Sequence, residues 1–160
     1  MRKIFLIIIM LMSINVSAFA EFPKYLYKFP EAIFIGNVDN VGIYIISGSV
    51  IDSKDIKREK PNIKSQYLGN IIYGRFYLAK YDDGKKVGKE TALESWFTYK
   101  IENGEKRMYI GAFNDIKYLD PYSNDKVKKT LINMGEAVYC MKNGTSFYGI
   151  PKIPEYIFRK

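Results

Sequence analysis

Residues 92–113 read ALESWFTYKIENGEKRMYIGAF, and the fold turns on them. Two runs rich in aromatic and β-branched residues flank Asn103-Gly104. That dipeptide suits a two-residue hairpin turn, because both of its residues accept positive φ. A turn there predicts a strand over Ala92 to Glu102 and its partner over Glu105 to Phe113. It also fixes which side chains meet, because side chains alternate strictly between the two faces. Tyr99 falls opposite Met108 and Phe97 opposite Ile110, which makes one apolar face. The other face carries Lys100 opposite Arg107, Thr98 opposite Tyr109, and Trp96 opposite Gly111. A large ring laid over a strand glycine fills the space the glycine leaves.

Working outward, Ile33 to Val38 and Val41 to Ser47 flank Asp39-Asn40, a second two-residue turn. Both runs are apolar at nearly every position, so both faces of this pair are expected to be buried. Ser53 to Ser65 is polar, charged and contains Pro61, which predicts a loop. Tyr67 to Tyr81 predicts a long strand, bent at Gly69 or Gly74 and ended by Asp82-Asp83-Gly84. Lys85 to Glu90 is expected to be an exposed basic stretch. Ser123 to Gly135 predicts the one helix. Ser123 or Asn124 would cap it, Gly135 would stop it, Val127, Leu131 and Met134 would share its apolar side, and Lys126, Lys128 and Lys129 its wet side. Asn143-Gly144 predicts a last hairpin, Glu136 to Lys142 with Thr145 to Ile150. Phe22-Pro23-Lys24-Tyr25 and Pro151-Lys152-Ile153-Pro154 are expected to run extended over the body, pinned by their aromatic residues. The sum is a mainly β (α+β) chain. It is a small antiparallel sandwich or partly open barrel of about six or seven strands, with one helix near residues 123–135.

The first residues follow the order of a cleavable export signal. Arg2 and Lys3 precede an unbroken apolar run, Ile4 to Met12, and Ala18-Phe19-Ala20 places small residues where a signal peptidase reads. Residues 1–20 are therefore expected to be removed, leaving residues 21–160 as a single β-rich domain. The apolar run is about half of what a membrane-spanning helix needs, and Ser13, Asn15 and Ser17 follow it. The abundance of Ile, Lys, Tyr and Asn suggests an AT-rich bacterial genome, with the periplasm, cell surface or medium as destination.

Charge and composition narrow the chemistry. The chain has 25 basic and 17 acidic residues, a net charge of +8, and loss of Arg2 and Lys3 leaves +6. Such a chain is drawn to acidic partners: an acidic polymer, an anionic envelope component or an acidic protein. There is no histidine, so Ser-His-Asp and Cys-His catalysis and histidine-bearing zinc sites are excluded. The single cysteine, Cys140, forms no intramolecular bridge and is expected to be a small buried hydrophobe. No cofactor and no metal are expected. Asp82-Asp83-Gly84 lacks the alternating oxygen donors of a calcium loop and suits a turn.

The candidate site is the basic-aromatic face of the central hairpin: Trp96, Lys100, Arg107 and Tyr109. Arg75 and Tyr77, with Tyr73, extend it if the Tyr67–Tyr81 strand lies alongside. Rings beside cations hold sugars, bases and acidic polymers. The bland alternative is a solvated sheet face, since Tyr, Thr and Trp favour strands anyway. Lys100 opposite Arg107 is a like-charge pair, which Glu102 reaching Arg107 and Glu105 reaching Lys100 would relieve. The expected function is a non-enzymatic binding protein for an acidic partner. Two other readings stand beside it. One is a protein-protein module using basic stretches 54–64 and 85–89. The other is a carboxylate-based hydrolase drawing on Glu94, Asp115 and Asp120. N-terminal sequencing of the protein recovered from an expressing cell is expected to begin at Glu21. A first residue of Met1 in the exported fraction would contradict the cleavage.

Overall fold

The computed structural model describes residues 22–55, 69–112 and 115–149. The expected signal at 1–20, most of the 53–65 loop and the Pro151–Pro154 segment lie outside them. The architecture is one antiparallel sheet of eight strands, not closed into a barrel, with one helix laid on it. The strands are β1 (Tyr25–Leu26), β2 (Phe29–Val38), β3 (Val41–Ile46), β4 (Ile51–Asp52), β5 (Asn70–Asp82), β6 (Lys85–Glu102), β7 (Glu105–Ala112) and β8 (Asp115–Leu119). The order across the sheet is β1-β2-β3-β5-β6-β7-β8, and β4 pairs with β5 beyond the end of β3. The helix α1 spans Lys126–Asn143.

The central hairpin has the expected register: Phe97 pairs with Ile110, Thr98 with Tyr109, Tyr99 with Met108 and Lys100 with Arg107. Asn103 and Gly104 both have positive φ, as the two-residue turn requires. Phe97, Tyr99 and Met108 face α1 in the main core, with Ile35, Ile43, Ile45, Ile72, Phe76 and Leu119 from the other strands. The apolar β2–β3 pair is buried on both faces. Its opposite side gives Ala32 and Tyr44 to a second core with Leu26, Ala79 and Tyr81. Phe22 stacks on Phe34 at 5.3 Å between ring centroids and meets Tyr81 edge-on at 5.1 Å. A side chain on Gly42 would strike the Phe22 ring at 2.7 Å, so this glycine makes room for the N-terminal segment.

The ends of several elements differ from expectation. Lys85 to Glu90 is largely exposed, as expected, but it is the first part of β6, because Asp83-Gly84 is itself a two-residue turn, both residues at positive φ, pairing Asp82 with Lys85. The helix starts at an Asp125 cap, whose side chain accepts from the Lys128 amide at 2.8 Å, rather than at Ser123 or Asn124. It does not stop at Gly135. A Cβ there would meet Met108 Sδ and Phe97, so the glycine is present for close packing, and Tyr99 donates to its carbonyl at 2.6 Å. The expected strand Glu136 to Lys142 is the helix's second half. Asn143-Gly144 ends it, with Gly144 at φ 74° donating its N–H to the Cys140 carbonyl at 2.7 Å. Val127, expected inside, is 56% exposed. Met134, Gly135, Glu136, Ala137 and Val138 are buried in succession. Helix residues buried without a break are covered on more than one side: the sheet lies beneath them, and the turn at 146–148 reaches across to Glu136.

That turn is held by one carboxylate. Glu136 is 1% exposed and accepts from the Ser146 hydroxyl, the Phe147 amide at 3.0 Å and the Tyr148 amide at 2.9 Å. Phe147 then closes over Tyr99 and Tyr139. Tyr148 accepts from the Met108 amide at 2.9 Å, and burial pushes its phenol up to about 12. Cys140 lies in the same core. Burial, then the Glu136 charge, pushes its thiol up to about 12, so it is not a nucleophile at neutral pH. Glu136→Ala strands one buried and two part-buried donors and is expected to cost about 2–4 kcal/mol in urea unfolding. Glu136→Gln, which keeps one acceptor oxygen, is expected to cost less. Equal midpoints for the parent and the alanine variant would contradict the role assigned to this carboxylate.

Candidate functional site

The sheet face turned away from α1 divides into two halves. Phe22 to Leu26 seals the half over β2, β3 and the C-terminal end of β5. The half over the start of β5, β6, β7 and β8 carries the expected basic-aromatic residues. Strand alternation puts Tyr73, Arg75 and Tyr77 of β5, Trp96 and Lys100 of β6, and Arg107 and Tyr109 of β7 on this one side. Tyr118 of β8 joins them, opposite Tyr109.

They form two groups. In the first, Tyr73 pairs with Trp96 across the ladder, their rings 5.1 Å apart. Arg75 bonds Glu94 at 2.7 Å and donates its Nε–H to the Tyr73 hydroxyl at 3.1 Å. The Arg75 hydrogen bond holds the Glu94 carboxyl below its usual range. In the second, Tyr109 and Tyr118 rings lie 5.6 Å apart. Lys100 Nζ stands 5.3 Å from the Tyr109 ring centre, and the Arg107 guanidinium 5.8 Å from that of Tyr118. Glu102 lies at the middle of this group. It takes Tyr109's hydroxyl at 2.9 Å, Arg107 at 3.5 Å and Lys100 at 3.7 Å. Glu105 pairs with Arg107 at 3.4 Å, not with Lys100. The like-charge opposition is thus relieved by one shared carboxylate. Burial, then the hydrogen bond to Glu102, raises the Tyr109 phenol above its ordinary value.

Tyr77 departs from the expected set. Its ring meets Phe29 at 4.8 Å and packs against the second core, so it marks the border between the two halves. Thr98 is buried, its hydroxyl donating to the Gly111 carbonyl at 2.9 Å. The face is close to neutral: Arg75, Lys100 and Arg107 are matched by Glu94, Glu102 and Glu105. Such exposed pairs add little stability. They hold the cationic planes in fixed positions between the rings.

The carboxylates considered for hydrolysis have separate local roles. Glu94 is the partner of Arg75, Asp115 opens β8 opposite Ala112, and Asp120 accepts the Tyr122 amide at 2.9 Å. Among the described residues no group of three or more His, Cys, Asp or Glu side chains is placed to hold a metal ion. Of the basic stretch 54–64 only Lys54 and Asp55 are described, and Asp55 pairs with Lys142 at 2.7 Å.

A cleft of about 370 Å³, which sequence reasoning missed, opens between residues 27–29 and 86–90. Its two walls are remote in sequence. The one available signal was the Asp83-Gly84 turn, which folds 85–90 back beside β5. Comparison with protein-family models, with curated proteins and with solved structures gives no match. Glu102→Gln is expected to lower the Tyr109 pKa, since it replaces an ionised acceptor by a neutral one. An NMR pH titration of the Tyr109 ring reads this directly. No movement would mean that burial alone sets the value.

Proposed function

We propose that this chain is an exported, non-enzymatic binding protein that holds an acidic partner on the basic-aromatic half of its sheet. The observation that carries the reading is the arrangement of that half. Tyr73, Trp96, Tyr109 and Tyr118 lie on one side of four adjacent strands, with Arg75, Lys100 and Arg107 fixed among them by carboxylates. Rings held in place present flat apolar area at little entropic cost, and the guanidinium edges between them offer directional donors. Export is supported by Arg2, Lys3, the Ile4–Met12 run and Ala18-Phe19-Ala20. The net positive charge of the chain favours encounter with an acidic partner.

Local neutrality of the face refines the expectation. Recognition on it rests on ring contact and directed hydrogen bonds, while the long-range attraction comes from charge elsewhere. Binding is measured by calorimetry against polygalacturonate, single-stranded DNA and anionic vesicles, each at low and physiological salt. Trp96→Ala is expected to weaken binding to the preferred member by about tenfold, within the range for losing one stacking ring. Lys100→Ser combined with Arg107→Ser leaves Glu102 and Glu105 without their cations and is expected to weaken it at least as much. Parent-like affinity in both variants would sink the reading.

A further inference from the structure

The cleft lined by Tyr27, Lys28, Phe29, Lys86, Gly88, Lys89 and Glu90 has three features that a featureless surface dip lacks. The first is backbone strain on a charged residue. β1 and β2 are joined by Tyr27-Lys28, and Lys28 sits at φ 70°. A glycine or asparagine would occupy that left-handed position at lower cost, and strain of this kind persists where the surroundings impose it, often at binding sites. The second is an irregularity aimed at the same place. Between the pairs Leu78–Thr91 and Lys80–Val87, β5 contributes only Ala79, whereas β6 contributes Gly88, Lys89 and Glu90. The surplus arches out of the ladder and forms the second wall. Bulges re-aim side chains in this way beside functional sites. The third is an ordered charge. Lys86 is held by Glu90 at 2.9 Å and by the Gly88 carbonyl at 2.7 Å, and the Lys86 hydrogen bond holds the Glu90 carboxyl below its ordinary value.

Lys28, Lys86 and Lys89 line the cleft with one carboxylate, Glu90, so it has the positive excess that the Trp96 face lacks. It also has rings. Tyr27 is 72% exposed and carries Lys28 Nζ 5.7 Å from its ring centre. Phe29 connects the cleft to the face through its 4.8 Å contact with Tyr77, which stands two residues from Arg75 and four from Tyr73 on β5. Along β6 the path from Trp96 to Glu90 is about 20 Å at the usual strand rise.

We infer that the cleft is the anion-binding end of a track along β5 and β6, and that its ligand is an extended polysaccharide bearing carboxylates. This rests on the proposed role of the Trp96 face. The carboxylates along the track select the class. Glu94, Glu102 and Glu90 accept hydrogen bonds from the free hydroxyls of sugar rings, which the deoxyribose-phosphate backbone of DNA lacks. Rings at Trp96, Tyr73, Phe29 and Tyr27 suit the apolar faces of sugar rings. The lysines of the cleft then take the ligand's carboxylates.

The test uses polygalacturonate oligomers and neutral oligosaccharides of the same length, titrated into the protein at several salt concentrations. Lys28→Asn combined with Lys89→Ser removes two cations and leaves the turn a residue that tolerates positive φ, so the fold survives. The expected result is a roughly tenfold loss of polygalacturonate affinity with a flatter salt dependence. Trp96→Ala should weaken binding with the salt dependence unchanged. Unchanged affinity and slope in the lysine variant, with Trp96→Ala still impaired, would overturn the cleft and leave the face standing. Loss in the lysine variant with none in Trp96→Ala would overturn the face and the track with it. Equal affinity for the neutral oligosaccharide, or tighter binding of single-stranded DNA than of polygalacturonate, would overturn the ligand class.

Discussion

A single buried carboxylate ties the last part of the described chain to the rest. Glu136 sits mid-helix where an uncompensated charge would be strongly destabilising, and it is compensated by backbone amides and a hydroxyl rather than by a cation. Those donors come from the turn just past the helix. The carboxylate therefore satisfies itself only if the chain doubles back over α1. Doing so brings Phe147 onto Tyr99 and Tyr139, and the Tyr148 hydroxyl to the Met108 amide. One polar group thus sets the position of the apolar groups that close the main core.

The sheet beneath has two faces and unequal covers. α1 covers one face, helped by missing side chains: Gly74 faces Val138, and Gly135 faces Phe97 and Met108. On the other face, among the described residues, Phe22 to Leu26 cover the β2–β3 half. What remains is the half with Trp96 and its neighbours, whose residues fit partial exposure because each ring has a polar end and each cation a carboxylate. The candidate site is the half of that face that Phe22 to Leu26 do not reach.

The site was legible in the sequence because a strand has a period of two and a tight turn fixes the phase. From Asn103-Gly104 alone the pairs Lys100–Arg107 and Thr98–Tyr109 follow, and the structure has them. The same dipeptide misled at Asn143-Gly144. A left-handed glycine ends a helix as readily as it turns a hairpin, and only the tertiary partners of 136–142 decide between the two. Gly135 misled for a related reason: glycine marks a helix end or a close approach, and one sequence does not tell these apart. The cleft was out of reach because its walls are brought together by two turns and a bulge, none of which has a periodic signature.

Apart from the short β4, every strand lies beside its neighbour in sequence, so the sheet is a meander whose contacts are largely local. Local pairings form early and quickly, because little chain must be closed to make them. The helix and the turn that locks it come after every strand. Synthesis delivers the chain from its first residue. The sheet can therefore assemble while its apolar face is still wet, and that face dries only when residues 126–148 arrive. A chain cut short before Lys126 would carry every strand described here and still display a sticky surface. The protein's exposure to aggregation and to proteases is concentrated in that interval, when all its strands are made and the helix and turn that cover them are not.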